Sequence, residues 1–177
     1  MKTYILLLRG VMPYGKNKTP MAELRKVLSE AGFKNVRTWI QSGNVVLQSG
    51  LSPRELEKTT EALIKDKMGP DLTVLARTPG QIEKILEENP FKENYDLSRV
   101  FFTLFKIEPQ KELVETMTNL ELEPEEAVFS TDHAYLYVPG NYTKGKVNNN
   151  MLEKKLKVRA TTRNFNTLNK LVEMSKE

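Results

Sequence analysis

The sequence contains no cysteine, a single histidine, a single tryptophan and no long apolar run. Without cysteine there is no disulfide, no thiolate nucleophile and no thiolate metal ligand, and a reducing cytosol is the expected compartment. His133 is the sole histidine and falls in an expected Asp132-His133 turn. No carboxylates accompany it at metal-ligand spacing, so a dedicated zinc site is not expected. Ser42 has no histidine near it in sequence and makes a poor nucleophile. The run Ile5 to Leu8 ends at Arg9, too short for a signal-peptide core, and nothing approaches the roughly 20 apolar residues of a membrane span. The expectation is a cytoplasmic protein without membrane contact.

What is present is an ordinary globular composition over 177 residues, enough to bury a real core. The net charge is only +4, but it is unevenly placed. Residues 1–50 carry eight Lys/Arg against two Glu, residues 51–142 ten against eighteen acidic residues, and residues 143–177 nine against three. Basic ends flank an acidic middle. Either the ends neutralise the middle across a domain interface, or they converge into one patch for an anion.

Periodicity gives a strand over Thr3–Arg9, a helix over Pro20–Ala31 with Met21, Leu24, Val27 and Leu28 as its stripe, and strands Val36–Gln41 and Asn44–Ser49. A helix over Ser52–Met68 and a strand over Leu72–Arg77 complete a βαββαβ order, the split plan of a ferredoxin-like α/β plait. After a connecting helix at Pro79–Glu88 the pattern restarts. It gives a strand at Arg99–Lys106, a helix at Gln110–Leu120, a hairpin of Ala127–Thr131 with Ala134–Val138, and a helix at Val147–Leu156. A short strand at Val158–Thr161 and a closing helix at Thr162–Glu173 end the chain. The expected fold is α+β: two ferredoxin-like subdomains, antiparallel sheets with helices on one face. The division is 1–78, a connecting 79–98, and 99–177.

Polar motifs gather in loops and helix starts. With Ser42-Gly43 as a two-residue turn, Gln41 pairs Asn44, Trp39 pairs Val46 and Arg37 pairs Gln48. Val36, Thr38, Ile40, Val45 and Leu47 then face the helices, and Arg37, Trp39, Gln41, Asn44 and Gln48 face away. An aromatic and a cation on that face resemble a base-stacking platform; cover by the second half is the favoured alternative. The loop "RGVMPYGKNKTP" brings Arg9, Lys16, Asn17 and Lys18 to a helix start, where free N–H groups favour anions. "GNYTKGK" at Gly140 to Lys146 has phosphate-loop spacing but is followed by Val147 instead of the Ser or Thr that would hold magnesium. "ATTRNFNTL" places Thr161, Thr162, Arg163, Asn164 and Asn166 at the expected start of the closing helix. Arg163 there either forms a fork for a carboxylate or phosphate, or pairs with the acidic middle segment.

Five stretches together, "LLRG" (7–10), "GKNKTPMAELRKVL" (15–28), "IQSGNVV" (40–46), "LEKKL" (152–156) and "ATTRNFNTLNKL" (160–171), resemble an uncharacterised bacterial family, domain of unknown function family 1697. The resemblance implies two α/β-plait subdomains and no activity. Its motif positions fall on Arg9, Gly10, Gly15, Lys16, Asn17, Lys18, Gln41, Ser42, Gly43 and Asn44, and on Lys146, Asn149, Thr161, Thr162, Arg163 and Asn164. Two departures stand out. Val11-Met12-Pro13-Tyr14-Gly15 replaces a loop resembling "INVGG", and Lys144-Gly145-Lys146-Val147 replaces one resembling "RSKL". Phe165 stands where the family typically has tryptophan.

The functional expectation is a polar, basic site between the two halves for a phosphate-bearing small molecule or nucleic acid. Its residues are Arg9, Lys16, Asn17, Lys18, Gln41, Ser42, Asn44, Lys146, Asn149, Thr161, Thr162, Arg163 and Asn164. No cofactor, metal or catalytic residue is assigned. A binding module is favoured over an enzyme that works by electrostatic positioning, and over an interaction module in which these residues are purely structural.

Overall fold

The structure, a computed structural model, describes residues 1–177. Two compact units divide the chain: Met1–Lys84 with Asn169–Glu177, and Ile85–Leu168. No helix is long and apolar enough to cross a membrane.

In the first unit, β1 (Lys2–Arg9), β2 (Lys34–Trp39), β3 (Asn44–Ser49) and β4 (Thr73–Arg77) form one antiparallel sheet in the order β2-β3-β1-β4. Helices α1 (Met21–Glu30) and α2 (Pro53–Lys67) cover one face. This is the ferredoxin-like arrangement. Period two explains the core: Tyr4, Leu6 and Leu8 meet Val45, Leu47, Val74 and Ala76 beneath Leu24, Leu28, Leu56 and Ile64. Each leucine, isoleucine or valine among them, fully removed from water, contributes about 1.5–3 kcal/mol. The alternate residues Ile5, Leu7, Val46 and Leu75 are also buried, so both faces of this sheet are dry. Ser52 starts α2 with a capping box: its hydroxyl accepts from the Glu55 N–H, and the Glu55 carboxylate accepts from the Ser52 N–H.

The second unit repeats the plan. Strands β5 (Val100–Phe105), β6 (Glu126–Phe129), β7 (His133–Tyr137) and β8 (Ala160–Asn164) are ordered β6-β7-β5-β8. Helices α4 (Lys111–Thr118) and α5 (Asn149–Leu156) pack on one face through Met117, Leu152 and Leu156. The connecting helix α3 (Pro79–Glu87) and the closing helix α6 (Phe165–Ser175) each span a boundary between the units, at Lys84/Ile85 and Leu168/Asn169.

Three local expectations are corrected. The first hairpin does not turn at Ser42-Gly43 alone: Trp39 lies opposite Asn44, Thr38 opposite Val45 and Arg37 opposite Val46, around a four-residue turn, Ile40 to Gly43. Asn44 explains the longer turn, because its amide donates back to the Trp39 carbonyl and the Ser42 hydroxyl. The register moves by two, so each strand residue keeps its expected face. Ile40 alone leaves the helix side and stands exposed in the turn. Gln48 faces Lys34, because the strands are irregular between Lys34 and Arg37.

The polar run at 160–164 is not a helix start. It is the edge strand β8, and α6 begins only at Phe165, with the Asn164 side chain accepting from the Thr167 N–H. Consecutive β-branched Thr161 and Thr162 suit a strand, and pairing with Leu104 and Thr103 of β5 decides it. Finally, His133 is not in a turn. It is a buried β7 residue whose Nδ1 lies 2.6 Å from the Asp132 carboxylate, with its ring edge-on to Tyr135.

Candidate functional site

Arg9 ends β1 opposite Thr73, and Gly10 turns the chain at a φ of +101° into the Gly10–Thr19 loop. The loop is braced from within. Met12 N–H donates to the Asn17 carbonyl, Lys18 N–H to the Gly15 carbonyl, and the Asn17 amide to the Gly10 carbonyl. With these groups satisfied, Lys16 and Lys18 stand in solvent and make no ion pair.

The Ile40–Gly43 turn joins the same end of the sheet. Gln41 donates to the Thr19 carbonyl at 2.8 Å, and the Leu8 N–H donates to the Gly43 carbonyl at 2.9 Å. A Cβ on Gly43 would lie 2.8 Å from both Leu8 Cβ and Val11 Cγ2, so glycine is required for loop and turn to meet. Arg25 of α1 donates to Thr38 beside this end. The acidic residues nearby in sequence are few: none occurs from Arg9 to Ala22 or from Ala31 to Arg54. Asp71, just before β4, is paired with Lys65. Thus Arg9, Lys16, Asn17, Lys18, Gln41 and Ser42 share one end of the first sheet. Asn44 belongs to the same region but is fully buried, its amide spent on closing the turn.

The remaining expected site residues lie in the second unit: Thr161, Thr162, Arg163 and Asn164 on β8, Asn149 bonded to it, and Lys146 in the segment before α5. The Asn149 side chain donates to the Ala160 carbonyl and accepts from the Thr162 hydroxyl, which also bonds the Thr103 hydroxyl. Glu153 accepts the Ala160 N–H and a bond from Asn149. Arg163 donates to the Thr161 hydroxyl and the Thr162 carbonyl. Asn164 caps α6. The first unit has the same device: Glu57 and Glu61, four apart on α2, accept the N–H groups of Ala76 and Val74, two apart on β4. In each unit a helix thereby saturates backbone groups of a sheet edge.

The phosphate-loop-like segment before α5 already holds an anion, and it is internal. Glu125 accepts the N–H groups of Lys146 and Val147 at 2.9 and 2.7 Å. The absence of a side chain at Gly145 leaves room for that carboxylate, which a Cβ would approach to 2.9 Å. The Lys146 ammonium donates to the Glu123 carbonyl and lines an open groove of about 630 Å³ with Glu121, Glu123, Glu125 and Glu126. Such a groove repels anions. Nothing local in the sequence points to Glu125 as the occupant, because it lies 21 positions before Lys146. Three exposed apolar side chains beside the first-unit cations, Met12, Tyr14 and Ile40, had a clearer signal, namely apolar residues inside a basic loop and a turn.

Two four-stranded sheets, each with its paired helices, define the class: an α+β protein of two similar ferredoxin-like subdomains. The family model described as "Protein of unknown function (DUF1697)" matches residues 1–135, and the chain belongs to that family. The C-terminal motif, Lys146 to Asn164, lies beyond the matched span. A solved structure, that of conserved bacterial protein SP0830 from Streptococcus pneumoniae, is similar at 27% identity over 98% of each chain, with a TM-score of 0.74. No curated protein matches.

Proposed function

We propose that the end of the first sheet, through Arg9, through Lys16, Asn17 and Lys18 of the Gly10–Thr19 loop, and through the Gln41–Ser42 part of the turn, binds a phosphate-bearing anion. The observation behind this reading is the internal bracing of the loop. These braces do not use the Lys16 and Lys18 side chains, which remain exposed beside a stretch of chain free of carboxylates. Cations held on a pre-ordered loop lose less entropy on binding than cations on a mobile one. Binding is favoured over turnover, because the two segments that build this surface, Arg9–Ala22 and Ala31–Arg54, supply cations, amides and hydroxyls but contain no carboxylate or imidazole of their own to exchange a proton.

Asn149, Thr161 and Thr162 favour a different role. Their polar atoms are engaged in joining α5 to β8, which supports a structural reading of that part of the expected site. The test is calorimetric titration of the full chain with inorganic tripolyphosphate at low and moderate salt, with the K16A/K18A variant in parallel. Binding in the wild-type protein that weakens at least tenfold in the variant, with thermal stability unchanged, supports the proposal. Equal binding by both proteins, or none by either, refutes it.

A further inference from the structure

We infer that the ligand of this surface is a single-stranded nucleic acid, with Tyr14 stacking against an unpaired base while Lys16 and Lys18 meet the flanking phosphates; this rests on the anion-binding reading above. A simple phosphate site has no use for exposed apolar side chains, yet this end of the sheet carries them. Tyr14 is 74% exposed, Ile40 55%, Met12 45% and Trp39 37%. These are four of the nine large hydrophobic side chains that the chain leaves exposed, and all sit on two segments tied together by hydrogen bonds. Tyr14 lies at the tip of the loop that the Met12–Lys18 bridge closes, two positions from Lys16 and four from Lys18. Trp39 enters the turn from β2, with the Lys170 ammonium 5.4 Å from its ring centroid.

Aromatic faces interleaved with cations suit unpaired nucleotides. Each base offers a π-face without regard to sequence, and each phosphate a charge. A duplex hides its base faces, and a small phosphate metabolite would leave Met12 and Ile40 without a partner. A membrane surface is served better by a continuous apolar helix face with cations at its rim than by two short loops.

Trp39 is the only tryptophan, so its fluorescence reports directly from this surface. The experiment titrates the full chain with oligothymidylate of about 12 nucleotides, with tripolyphosphate, and with vesicles of anionic lipid. The proteins compared are wild type, Y14A and Y14F. The expected result is saturable quenching by the oligonucleotide, weakened about tenfold in Y14A and retained in Y14F, with tripolyphosphate binding the same in all three. Tyr14 is too exposed for its loss to threaten folding. Tripolyphosphate binding without any oligonucleotide preference, or an oligonucleotide affinity unmoved by Y14A, overturns the nucleic-acid inference and leaves the anion site standing. Binding to vesicles but not to the oligonucleotide also overturns it. No response to any probe overturns both.

Discussion

Glu125 holds Val147 by its backbone: the carboxylate accepts the Val147 N–H at 2.7 Å, from a residue 22 positions earlier. The same side chain takes the Lys146 N–H, and both Glu125 and Val147 are buried. A chain segment spaced like a phosphate loop therefore serves as a joint, clamping the segment that leads into α5. Glu125→Ala strips two donors of their charged acceptor at once, and a buried N–H without a partner is costly. The expected loss is about 3 kcal/mol, measured by denaturant unfolding. Adding phosphate should not restore stability, since the groove around Lys146 is lined with carboxylates.

Asn149 tests whether the polar residues on β8 belong to the fold or to a ligand. Its amide joins α5 to the Ala160 carbonyl and to the Thr162 hydroxyl. Asn149→Ala should destabilise the protein by about 2 kcal/mol and leave tripolyphosphate affinity unchanged. Unaltered unfolding together with lost binding would return Asn149 to the ligand site.

The two-plait plan was legible because its signals are local. The stripe Met21, Leu24, Leu28 and the alternation of Tyr4, Leu6, Leu8 are periodic, and both ended in the core. What was misread depended on partners far along the chain. The run Thr161 to Asn164 looks like a helix start by composition, but β5 offers an unpaired edge and claims it as a strand. Ser42-Gly43 looks like a two-residue turn, but the buried Asn44 amide closes a four-residue one. Lys16 and Lys18 were readable as a basic loop because nothing distant pairs with them. Lys146 and Asn149 look equally basic and polar in sequence, and their partners, Glu123 and Ala160, appear only when the chain is folded.

Tyr135 gives the fold a measurable alkaline limit. Burial, with the Glu88 and Asp132 carboxylates adding to it, pushes its phenol up to about 12. The hydroxyl donates to the Ile85 carbonyl at 2.9 Å. A raised folded pKa favours the neutral phenol in the native state, whereas the unfolded chain ionises near pH 10. The contribution of this group is thus fully present below about pH 10 and is lost as the pH rises towards 12. Tyr135→Phe should cost about 1 kcal/mol at neutral pH through the lost hydrogen bond. It should also shrink the fall in stability between pH 10 and 12, followed by urea unfolding at each pH.

Gly43 and Gly15 have nearly the same backbone, with φ of +81° and +78°, but opposite surroundings. Alanine at Gly15 would meet nothing within 4 Å, so only the left-handed conformation penalises it, by about 1 kcal/mol. Alanine at Gly43 adds a clash at 2.8 Å with Leu8 and Val11, raising the expected loss to about 3 kcal/mol. Thermal unfolding of the two variants should separate them by several degrees. Because Gly43 seats the turn against the loop, Gly43→Ala should also weaken tripolyphosphate binding.

Ile40 is held in a conformation its own side chain disfavours. It is β-branched, has a φ of +47°, and is 55% exposed, so little burial compensates the strain. Left-handed positions in turns normally take glycine or asparagine. Ile40→Asn should therefore raise stability by about 1 kcal/mol, seen as a higher denaturant midpoint at unchanged slope. Strain retained on an exposed surface suggests a use for the side chain it displays. If Ile40 gives apolar contact to an unpaired base, the stabilised variant binds oligothymidylate more weakly while binding tripolyphosphate as before. Equal oligonucleotide affinity in both proteins would confine the role of Ile40 to shaping the turn.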